Sequence, residues 1–127
     1  MKDSLINIRP YKQEDYNFIL STWLKGFYYG NKNKFKKSKD AVMNETHAIV
    51  DAILKDTTTL IKVATLKDEE DIILGYSISG PEVLHWVFVK SDWRRFGIGK
   101  KLIPSDAKYH TFTTRAYEEF NKQTKRK

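Results

Sequence analysis

Apolar residues recur along this chain with two periods, and the change between them marks out its elements. Residues 5–9 alternate apolar and polar side chains and predict a short strand, ended by Pro10. Over residues 14–27, Tyr16, Ile19, Leu20, Trp23, Leu24 and Phe27 fall at helical spacing. They predict an amphipathic helix whose end is bracketed by Gly26 and Gly30. Ser38 is a suitable N-cap for a second helix, with Val42, Ile49, Val50, Ile53 and Leu54 on one side. After Asp56 the period shortens. Residues 58–66 and 72–79 are rich in β-branched side chains and flank Lys67-Asp68-Glu69-Glu70-Asp71, which predicts an antiparallel hairpin around an acidic turn. Gly80-Pro81 ends the second strand, and residues 83–89 predict a third. A short helix fits residues 97–107, cut or kinked by Pro104. Residues 109–114 are β-prone, and residues 116–122 close the pattern as a helix.

This order is strand, helix, helix, three strands, helix, strand, helix. It predicts a mixed α/β (α+β) fold with a largely antiparallel central sheet flanked by helices. No repeat or linker interrupts it, so residues 1–127 are expected to form a single domain. Hydrophobic content of 40%, with 13% aromatic residues, argues for a folded core. No apolar run approaches the ~20 residues of a membrane span, and Met1-Lys2-Asp3-Ser4 opens no signal-peptide pattern. Cysteine is absent, which excludes disulfides, thiolate metal sites and a cysteine nucleophile. These features point to a cytoplasmic protein without a membrane partner. His47 and His110 lack the paired spacing of a metal site, so no metal is expected.

Charge changes the picture. The formal net charge is +7, and it is unevenly placed. From Lys25 to Lys39, ends included, there are six lysines and no acid, interleaved with Phe27, Tyr28, Tyr29 and Phe35. Lysines neutralise phosphates and tyrosines stack on bases, so Tyr28, Tyr29, Lys32, Lys34, Lys36 and Lys37 are candidates for binding a nucleic acid or another acidic partner. A second basic cluster is Arg94-Arg95-Phe96-Gly97-Ile98-Gly99-Lys100-Lys101, set between a predicted strand and a predicted helix. Strand, glycine-bearing basic loop and helix together make a phosphate-binding arrangement. Glycines let the backbone approach an anion, and first-turn amides point at it. Two better-known motifs do not fit. A dinucleotide fingerprint would open an alternating βαβ unit, and a P-loop would need Ser or Thr after Gly99-Lys100, where Lys101 stands.

Val87-Phe88-Val89, the spacer Lys90-Ser91-Asp92-Trp93, and Arg94-Arg95-Phe96-Gly97-Ile98-Gly99 together resemble the acyl-CoA motif of the GNAT superfamily of N-acyltransferases. The resemblance covers residues 5–115 and includes the element order. It implies a GNAT-like fold and acetyl-CoA, or another acyl-CoA, as cosubstrate. By that resemblance, Arg94, Arg95, Phe96, Gly97, Ile98, Gly99 and Lys100 hold the pyrophosphate. The backbone of Val87, Phe88 and Val89 then meets the pantetheine arm. His85 matches a histidine that some members use as general base, and Glu82 is a second candidate. Tyr117 lies where many members place the tyrosine that protonates the thiolate, with Tyr109 nearby.

The usual fold continues beyond the helix predicted at 116–122, whereas this chain adds only a few residues. The resemblance therefore implies a shortened sheet with an open edge, covered by a second copy in a homodimer. In these respects the chain is similar to compact GNAT-like proteins encoded by phages, some of which modify DNA bases, and which would act in the host cytoplasm. The leading expectation is direct transfer of an acetyl group from acetyl-CoA to an amine, with a serine carrier left open. The alternatives are a non-catalytic nucleic-acid-binding or regulatory protein on this scaffold and a nucleic-acid modification enzyme.

Overall fold

The computed structural model describes residues 5–31, 36–81, 83–94 and 96–103, and the backbone of 109–110. The strands are β1 (Ile6–Pro10), β2 (Leu60–Leu66), β3 (Glu69–Gly80), β4 (Val83–Val89) and β5 (Tyr109–His110). The helices are α1 (Tyr16–Asn31), α2 (Lys39–Lys55) and α3 (Ile98–Leu102). The strands form one sheet in the order β1-β2-β3-β4-β5. The first four are antiparallel, and β5 joins β4 in parallel. This is the α+β architecture that the patterning predicts. Among the described residues, no helix is long and apolar enough to cross a membrane.

Helices cover both faces of the sheet. Ile19 and Trp23 of α1 and Val50 of α2 pack on Ile61, Val63, Tyr76, Ile78 and Trp86. On the other face, Ile98, Leu102 and Ile103 pack on Ala64, Leu74, Leu84, Val87 and Val89. The Ser38 hydroxyl accepts from the Ala41 amide at 3.2 Å, so α2 starts at the expected cap.

Three boundaries differ from the sequence reading, each for a physical reason. First, α1 continues through Gly26 and Gly30 to Asn31. A Cβ on Gly26 would lie 3.0 Å from Cζ2 of Trp86, so this glycine makes room for an indole rather than ending a helix. Second, β3 begins at Glu69, and the hairpin turn is only Lys67-Asp68. Glu69, Glu70 and Asp71 occupy the exposed end of the strand, where side-chain polarity costs little. Third, α3 ends at Leu102 with Ile103 in extended conformation. A residue preceding proline disfavours the helical region, which accounts for the extended Ile103. Pro10 also falls inside β1, as an edge strand permits. The expected helix over 116–122 lies outside the described residues.

The turn from β1 into α1 is held by a buried ion pair. Arg9 donates from Nη1 and Nη2 to the two carboxylate oxygens of Asp15, each at 2.8 Å. It also donates to the carbonyls of Pro10 and Glu70, so all five guanidinium donors are used. The Lys12 amide donates to Asp15 at 2.8 Å.

Candidate active site

A register shift and a parallel neighbour shape the region around β4. The register from Gly75↔Val89 to Ile78↔Trp86 is regular, but Ser79 pairs with Leu84, which leaves His85 as an extra residue. This is a β-bulge. Its consequence is visible in the packing, because Leu84 joins the α3 face while Trp86 joins the α1/α2 face. In a regular strand residues two apart share one face. A bulged residue also leaves backbone groups outside the ladder. On its other side, β4 meets β5 at Val83↔Tyr109 and Leu84↔His110, directly beside the bulge.

His85 is half-buried, and a Cβ on Gly80 would lie 3.4 Å from its Nε2. Burial pushes its pKa below the ordinary histidine value, while the charge of Asp56 at the end of α2 pulls the other way. Hydrogen bonds from the Thr58 hydroxyl and amide hold Asp56 below the usual carboxylate range. Asp56 was not singled out from sequence. Its only signal was the Asp-Thr-Thr run after a predicted helix, which favours a side-chain-closed turn.

The side chains of Val87 and Val89 are buried under α3, and Phe88 stacks on Tyr76 with ring centroids 5.4 Å apart. For Val87 and Val89 this leaves the backbone as the part that could meet a ligand along the strand, while Phe88 is half-buried. From His85 to Val89 the strand advances ~13 Å. At its end the chain turns through Ser91–Trp93 and enters the basic loop.

Gly97 has φ +80°, in the left-handed region, and serves as N-cap of α3. A Cβ at Gly97 or Gly99 would meet no atom within 4 Å. Packing therefore does not demand a glycine at 99, and the backbone there faces open space. The first-turn amides of α3 have no acceptor within their own helix. Phe96 is half-buried and packs on Trp93, with centroids 5.3 Å apart. Ile98 is buried, and Lys100 is exposed beside the first turn. Arg94 has a more local task than the sequence suggests, since its Nε donates to the Val89 carbonyl at 3.1 Å. It ties the loop to the strand end.

At the far end of α1, Tyr28 and Tyr29 meet edge to face with centroids 5.1 Å apart. The Lys39 ammonium lies 5.1 Å from the Tyr29 centroid and donates to its hydroxyl at 2.8 Å. Lys39 was missed from sequence although it ends the basic run. Lys36 is exposed, whereas Lys37 pairs with Glu45 at 2.7 Å. Glu82, Arg95, Lys32, Lys34 and Tyr117 lie outside the described residues.

No protein-family model matches this sequence, and no curated protein matches it. Solved structures do match its fold. An aminoglycoside acetyltransferase from an uncultured soil metagenomic sample, solved with sisomicin, superposes with TM-score 0.56 at 20% identity, covering 98% of this chain and 90% of that one. An acetyltransferase of the GNAT family from Desulfovibrio desulfuricans gives TM-score 0.56 at 18% identity, covering 95% and 82%. The aminoglycoside acetyltransferase AAC(6')-Iy, solved with a bisubstrate analogue containing CoA, gives 0.50 at 14% identity, covering 94% and 86%. Against two further matches, from Escherichia coli and Corynebacterium glutamicum, this chain spans 61% and 66% of their length. The likeness is one of fold: the chain has the fold of GNAT acetyltransferases.

Proposed function

We propose that this chain is an N-acetyltransferase that moves an acetyl group directly from acetyl-CoA to an amine. The observation that carries the reading is the glycine loop at Gly97 and Gly99, open to solvent and placed at the end of a bulged strand. The pyrophosphate would sit on the first-turn amides of α3, with Lys100 adding charge. The pantetheine arm would run back along β4 toward His85. A solved neighbour of the same fold holds a bisubstrate analogue that contains CoA, which supports CoA as the cosubstrate.

In this reading the amine nitrogen attacks the thioester carbonyl and forms the C–N bond, the C–S bond breaks, and the proton that the nitrogen then sheds ends on the departing thiolate. A base must first take a proton from the ammonium, and among the described residues we assign that role to His85, the bulged residue of β4. Its lowered pKa keeps the imidazole neutral, and so active as a base, to lower pH than an ordinary histidine. The acid limb of the kcat/KM profile should therefore fall below ~6.5. His85→Ala should lower kcat by roughly 10²–10⁴-fold and leave acetyl-CoA affinity within a few-fold of the parent. Transfer of labelled acetyl to a panel of amines measures both. A variant with unchanged kcat would remove His85 from the reaction.

The acceptor reading is an anionic molecule held near the end of α1. It rests on Tyr29, 54% exposed, beside Lys39, with Lys25 one helical turn earlier on the same face, and on Lys36, exposed three residues before Lys39 in sequence. Single-stranded nucleic acid offers this chemistry, with phosphates for the lysines and bases for the tyrosines. Charge reversal of Lys25 and Lys36 should weaken binding of a short oligonucleotide at least ~10-fold and flatten its salt dependence. Unchanged affinity would set this acceptor aside while leaving the transferase reading in place. Oligonucleotide binding without any affinity for acetyl-CoA would instead favour a binding module on the same scaffold.

A further inference from the structure

The short helix that carries the anion loop is held from beneath by one polar contact. Ser77, on β3, is 1% exposed, and its hydroxyl donates to the Leu102 carbonyl at 2.8 Å. Leu102 is the last residue of α3, so this carbonyl is among those that a helix leaves unmatched at its C-terminus. Helices this short do not stand alone in water, because few hydrogen bonds offset the cost of the first turn. The backbone hydrogen bonds of α3 include those from the Lys101 amide to the Gly97 carbonyl at 3.3 Å and from the Ile103 amide to the Gly99 carbonyl at 2.9 Å. Both accept at the glycines of the loop. The geometry of the loop is therefore coupled to whatever fixes the other end of α3.

The sheet provides a seat for that end. Gly75 pairs with Ala64 on one side and Val89 on the other, and all three lie on the α3 face. A Cβ on Gly75 would come 2.5 Å from the Phe88 carbonyl oxygen and 3.4 Å from Cδ1 of Leu102. The small surface lets the last turn of α3 come down onto β3. Two residues further along, on the same face, Ser77 meets it with a donor. The apolar contacts of Ile98, Leu102 and Ile103 hold α3 against the sheet without direction, whereas the Ser77 hydrogen bond fixes its rotation and height.

We infer that Ser77 is a positioning residue for the anion loop, setting the aim of the amides at Ile98, Gly99 and Lys100 through the Leu102 carbonyl. It touches no part of the ligand. The inference rests on the proposed acetyl-CoA reading, and it assigns to a buried strand serine a share of the cosubstrate affinity. A loop already in its bound shape loses less entropy on binding, and loosening its support gives that gain away.

The test is the Ser77→Ala variant, read in two ways. Its affinity for CoA should fall about tenfold. Amide hydrogen exchange at Lys101 and Ile103 should accelerate by a similar factor, while amides at the centre of β2 and β3, such as Val63 and Ile78, keep their rates. Ser77→Thr keeps the donor and should bind CoA within about threefold of the parent. Unchanged CoA affinity in Ser77→Ala would overturn the inference. So would uniform acceleration of all amides, which is the signature of a merely structural serine. A folded Ser77→Thr that binds as weakly as the alanine variant would also count against it. If the parent protein does not bind CoA, the transferase reading falls and takes this inference with it. Parental binding with an unaffected variant removes the inference alone.

Discussion

Asp15→Asn is expected to destabilise the protein by about 3–5 kcal/mol, the usual range when one partner of a buried ion pair is removed. Arg9 and Asp15 are 7% and 4% exposed, and the guanidinium cannot shed its charge. The variant leaves that charge facing a neutral amide in a site closed by β1, the Glu70 carbonyl and the start of α1. Thermal unfolding should show a loss of roughly 10 °C or more in Tm. Replacing both residues by apolar ones of similar volume should recover much of the loss, because the desolvation of both charges disappears with them.

The same pair predicts a pH dependence with a definite sign. Burial alone would raise the Asp15 carboxyl. Hydrogen bonds from Arg9 and the Lys12 amide, with the charges of Arg9 and Lys12, outweigh it and hold the group below the ordinary aspartate value. A carboxylate with a lowered folded pKa adds stability that is complete above its unfolded value near ~3.9. That stability is lost as pH falls below this value toward the folded one. The parent should therefore lose its margin over Asp15→Asn in acid. A constant difference in Tm between pH 7 and pH 2.5 would contradict this account.

Gly97→Glu is expected to weaken acetyl-CoA binding at least ~100-fold, equivalent to about 2.7 kcal/mol. Two effects add. The left-handed φ of +80° strains any side chain, and a carboxylate there repels the pyrophosphate. Gly97→Ala separates them, since it carries only the backbone strain and should bind far better than the glutamate variant. Because a Cβ at this position meets no atom within 4 Å, neither variant should unfold the protein. The extra loss in Gly97→Glu should shrink at high salt, as an exposed charge interaction does. Calorimetry at two ionic strengths measures all of this.

Much of the architecture was legible because it rests on period and punctuation. The Ser38 cap, the apolar side of α2 and the β-branched hairpin each announce themselves locally. What stayed hidden depends on contacts distant in sequence. Gly26 reads as a helix terminator until Trp86, 60 positions on, is seen against it. The bulge at His85 changes no residue type, only which neighbour faces which layer. Arg94 reads as a phosphate ligand because its sequence neighbours are basic, and its Nε bond to the Val89 carbonyl adds a task that no local pattern shows. Ser77 carries no motif at all. Its role follows from Gly75, whose missing side chain lets the end of α3 come down onto β3.

The central claim is that the loop at Gly97 and Gly99 holds the pyrophosphate of an acyl-CoA. Isothermal titration of the parent protein with acetyl-CoA tests it most directly. The account predicts one site with micromolar affinity, lost in Gly97→Glu while the thermal transition of the variant persists. A parent protein that stays folded and gives no binding heat up to millimolar acetyl-CoA would contradict it.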